Sequence, residues 1–161
     1  FSPPFFPFDL LDFTNNIKIV DFHDIVSEFK SHNFSAFSLI HPGESSGYSL
    51  TDQDTKICYL LDNEFNKTQN TNLIKFCENS DFIIWDGMFT ENELKTKKGW
   101  GHSSIEQGLK FAENLDLKKL IISHHAPDRT DDQIEKISAK YTNSNLIFAQ
   151  ENKEISFYGK T

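Results

Sequence analysis

Apolar residues in this chain come in short runs that break off at a polar side chain. Phe34 to Ile40 stops at His41, Ile57 to Leu61 at Asp62, Phe82 to Trp85 at Asp86, and Leu120 to Ser123 at His124. Runs this short, rich in β-branched and aromatic residues, read as buried strands. The same reading gives a strand over Ile17 to Phe22 and a hairpin from Tyr48 to Leu61 that turns at Asp52 to Thr55. Two short strands, Leu146 to Ala149 and Glu154 to Tyr158, close the chain. Helical spacing predicts a helix over Thr71 to Asn79, with Leu73, Ile74 and Cys77 on one side. A second helix opens on a capping box of Ser103 and Glu106 and carries Ile105, Leu109, Ala112 and Leu115 as its apolar stripe. A third opens on Thr130 and Gln133 and turns Ile134, Ile137 and Tyr141 inward. Lys95 to Gly101 reads as a polar loop. Strands first, then strands alternating with helices, predict a mixed α/β layered fold in one domain over residues 1–161.

The four strand ends matter because sites in open α/β sheets form where strands reach their carboxyl ends. One polar residue there only marks the chain turning outward. Two His and two Asp at four such ends can converge, and two divalent ions bridged by a carboxylate suit that donor set.

Composition narrows the function. A chain of 161 residues with 37% hydrophobic and 25% charged residues is globular and long enough to bury a core. Its net charge of -8 and the lack of any Lys/Arg block argue against a large nucleic-acid footprint. An anionic substrate remains compatible if metal ions supply local positive charge. No segment is long and apolar enough to span a membrane. Cys58 and Cys77 have no CxxC partner and read as buried free thiols, which fits a reducing compartment such as the cytoplasm. The opening Phe1-Ser-Pro-Pro-Phe-Phe-Pro-Phe has neither an initiator Met nor a basic segment. It reads as an irregular loop, and as a start in the middle of a larger chain.

Five motifs in order resemble the metallo-β-lactamase-fold hydrolases, in the phosphodiesterase branch related to ribonuclease Z. They are His41-Pro-Gly with Gly47-Tyr48, Tyr59-Leu-Leu-Asp62, Asp86-Gly-Met-Phe, Gly99-Trp-Gly-His-Ser-Ser104 and His124-His-Ala-Pro-Asp-Arg129. The resemblance runs from Phe1 to about Phe157 and implies a four-layer αββα sandwich with two divalent ions, zinc by default and manganese or iron as substitutes. It implies His41 and His124 as terminal metal ligands and Asp62 as the bridging one. It implies His102 as the group that assists the leaving oxygen, Asp86 as the carboxylate that orients His102, and Trp100 and Ser103 as substrate contacts. His125 reads as a hydrogen-bonding neighbour of the site, because consecutive strand-end residues point opposite ways. Arg129, the one arginine, reads as paired to Asp131 and Asp132. His23 and His32 read as surface residues, and Phe5 and Phe6 as core or as cover for the pocket mouth.

The family's His-x-His-x-Asp-His run, which supplies further ligands to both ions, has no counterpart here. The resemblance therefore implies the C-terminal portion of such a domain, completed by an N-terminal half, a second chain or self-association. By that reading the isolated chain binds metal weakly and is inactive. The leading activity is metal-dependent hydrolysis of a small phosphodiester, with cyclic nucleotides as candidate substrates. The alternatives are a ribonuclease Z-like tRNA 3′-processing endonuclease, and a non-catalytic remnant that binds a partner.

Overall fold

The computed structural model describes residue 24 and residues 33–157. The expected strand over Ile17 to Phe22, and the readings of Phe5, Phe6, His23 and His32, lie outside the described residues.

Three strands come first: β1 (Phe34–Leu39), β2 (Ser45–Asp52) and β3 (Thr55–Leu60). Then follow α1 (Lys67–Phe76), β4 (Phe82–Asp86), α2 (Glu91–Leu94), α3 (Ile105–Ala112), β5 (Lys119–Ser123), α4 (Asp131–Ser138) and β6 (Leu146–Phe148). All six strands join one sheet in the order β1-β2-β3-β4-β5-β6. β1 to β3 are antiparallel, and β3 to β6 are parallel. Parallel neighbours need crossovers, and α1, α3 and α4 lie in those three connections. The parallel strands therefore all present their carboxyl ends on the same edge.

Strand alternation sorts the sheet residues into two faces. Cys58, Leu60, Ile83, Trp85, Leu120 and Ile122 form one core cluster with Leu73 and Cys77 from α1 and its cap, Ile105 and Phe111 from α3, and Ile137 from α4. Both cysteines are free and buried. The opposite face carries the paired row Tyr48, Tyr59, Ile84, Ile121 and Ile147. On that side Leu50 and Tyr59 are 42% and 43% exposed. No helix among the described residues is long and apolar enough to cross a membrane.

Several boundaries move from their expected places. β2 begins at Ser45 and not at Tyr48, because Gly47 pairs with Phe37 inside the ladder. A Cβ at residue 47 would meet Leu60 Cδ2 at 2.9 Å, so the glycine admits Leu60. α1 starts at Lys67, capped by Asn66, whose Oδ1 accepts from Thr68 N and Gln69 N. Ser104, not Ser103, caps α3, with Gln107 reaching back to its N–H at 2.9 Å. Glu106 instead accepts from Glu91 N at 2.7 Å and from Tyr141 Oη at 2.8 Å. At α4, Gln133 reaches back to Thr130 N at 2.9 Å, as expected. Residues 154–157 form no strand, and Phe157 packs edge-on against Phe82 at 4.8 Å instead.

Trp85 anchors α3 to the sheet. Its ring stacks on Phe111 at 5.2 Å and its Nε1 donates to Ser104 O at 3.0 Å. Gly108 makes that approach possible, since a Cβ there would lie 2.6 Å from Trp85 Cδ1. Gly108→Ala gains about 1 kcal/mol of helix propensity but overpacks a rigid ring, which costs about 1–3 kcal/mol. We expect a net loss of stability, read as a Tm lowered by about 2–8 °C. An unchanged or raised Tm would show that the ring yields.

Candidate metal centre

Four strand ends deliver the polar groups to one edge. His41 follows β1, and its Nδ1 accepts from Gly43 N at 3.1 Å, which fixes the ring. Asp62 follows β3 with φ +53, and Ser45 Oγ donates to its carbonyl at 2.6 Å. Asp86 is the last residue of β4. His124 follows β5 with φ +57. The left-handed turn at residues 62 and 124 swings each side chain off the line of its strand.

Asp62 Oδ1 lies 3.8 Å from His41 Nε2, 3.6 Å from His124 Nε2 and 3.9 Å from His102 Nδ1. These gaps are too long for direct hydrogen bonds. Two ligands of one zinc, each about 2.0–2.1 Å from it at a tetrahedral angle, stand about 3.3 Å apart. The observed gaps are only a few tenths of an ångström wider. Among the described residues, ligand atoms of His41, Asp62 and His102 all lie within 4.8 Å of one another. Half-buried imidazoles gathered around one carboxylate fit a divalent cation of the zinc type. A cation held at His41 Nε2 would need that ring's proton on Nδ1, at the cost of the Gly43 contact.

Asp86 and His102 form a separate unit. The Asp86 carboxylate is fully buried and accepts from His102 Nδ1 at 2.9 Å, Met88 N at 3.1 Å and Asn63 N at 3.2 Å. A buried carboxylate with three N–H donors is held in place. It fixes the His102 proton on Nδ1 and leaves Nε2 free. The His102 ring sits 5.5 Å from that of His41 and 5.0 Å from that of His124.

No family model matches the chain. The ribonuclease Z of Nitrosopumilus maritimus is 30% identical over 84 residues, which is 52% of this chain and 28% of that protein. Human tRNase Z, short form, has a TM-score of 0.60 at 23% identity over 78% of this chain and 43% of its own. The metallo-β-lactamase fold protein YhfI from Bacillus subtilis has a TM-score of 0.56 at 18% identity over 73% of this chain and 46% of its own. This chain has a metallo-β-lactamase fold, in part. It spans about a quarter of the curated relative's length and under half of either solved structure's.

Within this part of the metallo-β-lactamase fold, His41, Asp62, Asp86, His102 and His124 lie together at one sheet edge. Ser103 does not reach the cavity. It is fully buried, and its hydroxyl donates to Asn63 O and accepts from Phe65 N at 3.0 Å, so it ties two loops together and has no free face for a substrate. Trp100 is 56% exposed, with Lys97 Nζ 3.8 Å over its ring and Phe89 edge-on at 6.4 Å. It lines a cleft of about 410 Å³ with Met88, Phe89, Glu93, Lys97 and Arg129. Arg129 pairs with Glu93 Oε2 at 3.0 Å and donates to Met88 O at 3.1 Å, not with Asp131 and Asp132. Those two aspartates occupy the first turn of α4. Thr90 N–H and the Arg129 guanidinium outweigh burial and hold the Glu93 carboxyl below its usual range. His125 turns away from Asp62 and stacks on Phe148 at 6.0 Å. Burial, aided by the Arg129 charge, lowers its pKa.

Two residues escaped the sequence reading. Asn63 Oδ1 accepts from Ile40 N at 3.2 Å, while its own N–H reaches Asp86. Glu64 binds two backbone N–H groups of the glycine loop. The only signal was that both directly follow Asp62, in a polar run leaving a strand end.

Proposed function

We propose that this chain contributes to a divalent-metal-dependent hydrolase that cleaves phosphodiester bonds. The observation that carries this reading is the meeting of His41, His102 and His124, from three separate segments, within 3.6–3.9 Å of one Asp62 oxygen. In it, His41 and His124 would each hold an ion and Asp62 would be shared between them, with zinc first and manganese or iron as substitutes. Bound divalent ions supply Lewis acidity and lower the pKa of water.

The remaining steps belong to the chain's own side chains. His102, held through Nδ1 by Asp86, presents a free Nε2 that takes up the proton the attacking water gives up and passes it to the departing oxygen. Asp86 sets the tautomer that makes this possible. Trp100 and Phe89 offer an aromatic wall beside His102 for a base or sugar of the substrate. A second chain or further segment adds ligands, since one carboxylate and two imidazoles are a thin donor set for two ions.

A small phosphodiester such as a cyclic nucleotide is the first substrate reading, and the net charge of -8 supports it. The likeness to a ribonuclease Z favours the second reading, cleavage of a tRNA precursor at its 3′ side.

The test is an assay of the chain, expressed in the reading frame that encodes it, on bis-p-nitrophenyl phosphate, cyclic AMP and precursor tRNA. We expect hydrolysis to fall more than about a hundredfold on chelation and to return with zinc or manganese. Preference for precursor tRNA would select the second reading. No metal-dependent cleavage of any of the three would end the proposal.

A further inference from the structure

We infer that Glu64 is a positioning residue that holds the His102 loop in the site, an inference that rests on His102 acting there. Glu64 Oε1 accepts from Gly99 N at 2.8 Å and Oε2 accepts from Gly101 N at 2.9 Å. Both glycines have positive φ, +83 and +89, which turns their two N–H groups toward one anion. The loop's own bond, Trp100 N to Lys97 O, is longer at 3.3 Å. Glu64 is itself pinned at its backbone, where its N–H donates to Ile40 O at 2.7 Å, one residue before His41.

The grip therefore links the two sides of the cavity. One end is fixed to the segment that carries His41 and Asp62. The other holds the segment that carries Trp100 and His102. Gly101 is pressed so close to His41 that a Cβ there would fall 2.2 Å from His41 Cδ2. A loop released from Glu64 loses that seating, and His102 loses its fixed place between Asp62 and Asp86. Both Glu64 carboxylate oxygens are engaged by the loop, so Glu64 works through where it puts His102.

The test uses the full 161-residue chain with Glu64→Ala and Glu64→Gln, and Glu113→Ala as a control for loss of a surface carboxylate. NMR follows amide exchange at Gly99 and Gly101, the imidazole C–H signals of His102 and His41, and exchange at the core amides of Ile83 and Ile122. In Glu64→Ala we expect exchange at Gly99 and Gly101 to speed up by about tenfold to a hundredfold, the size of a lost charge-assisted hydrogen bond. Both imidazole signals should shift, and core exchange should hold. Glu64→Gln keeps one acceptor oxygen, so it should fall between, and it carries the test if Glu64→Ala does not fold. Glu113→Ala should move nothing.

Freed glycine amides with unmoved imidazoles would overturn the positioning role. Core amides losing protection in step would reduce Glu64 to a fold stabiliser and overturn it too. None of these signals depends on hydrolysis, so a failure here is separate from a failure of the phosphodiester reading.

Discussion

Asp86→Ala should abolish most phosphodiester hydrolysis and also weaken the fold. The carboxylate is fully buried and is the shared acceptor for Asn63 N, Met88 N and His102 Nδ1. Truncation strands all three donors, and each buried unpaired donor costs about 1–3 kcal/mol. Water entering the space left behind recovers part of this, so a net loss of roughly 3 kcal/mol is expected in urea unfolding. Activity should fall by about 10²–10⁴, the size of a lost acid–base contribution, because nothing then holds the His102 tautomer. Asp86→Asn separates the two effects. It fills the same volume but sets an amide N–H against one of three N–H groups. Stability should suffer less than in the alanine variant, and activity nearly as much. Hydrolysis within twofold of wild type in both variants would remove Asp86 from the mechanism.

Gly101→Ala is the second large effect, and it should strike the metal site and largely spare the fold. The added methyl would lie 2.2 Å from His41 Cδ2 and 2.7 Å from Pro42 Cδ. The backbone there sits at φ +89, where an L side chain is strained by about 1–2 kcal/mol before any clash. The soft way out is for the His41 ring to swing away from Asp62. Calorimetric titration with zinc should show affinity reduced by about a hundredfold, in the range of a disturbed coordination shell. Gly99→Ala is the matched control. Its φ is +83, but nothing lies within 4 Å of an added Cβ. It should carry the backbone strain alone and keep most of the zinc affinity. Equal losses in the two variants would show that loop strain, and not the contact with His41, governs binding.

Strands β1 to β6 and the residues at their ends were legible because both are local signals. Apolar runs of the right length stop where the chain leaves the core, and four such stops carried His41, Asp62, Asp86 and His124. The capping residue of α3 was not legible. Ser103 and Ser104 stand side by side, with Glu106 and Gln107 each three residues on, so either register reads as a box. A tertiary contact decides between them: Asn63 O and Phe65 N claim the Ser103 hydroxyl and leave Ser104 to cap. α1 was placed too late because apolar spacing starts at Leu73, while Asn66 begins the helix in polar sequence. α2 has four residues and no apolar periodicity, and it rests on the Thr90–Glu93 box. Arg129 found Glu93 from 36 residues away, and Glu64 found Gly99 and Gly101 across 35 and 37. A reading that looks along the chain for neighbours sees none of these.

Asp62 and His124 both occupy left-handed backbone, a conformation that disfavours an L side chain by about 1 kcal/mol or more relative to glycine. Glycine at either corner would relax the main chain. Pressure for thermal robustness alone would thus push toward emptying the cavity of its donors. The two corners hold free energy in reserve, and on the proposed reading durability and chemistry pull this sequence in opposite directions at the spot where its strands end.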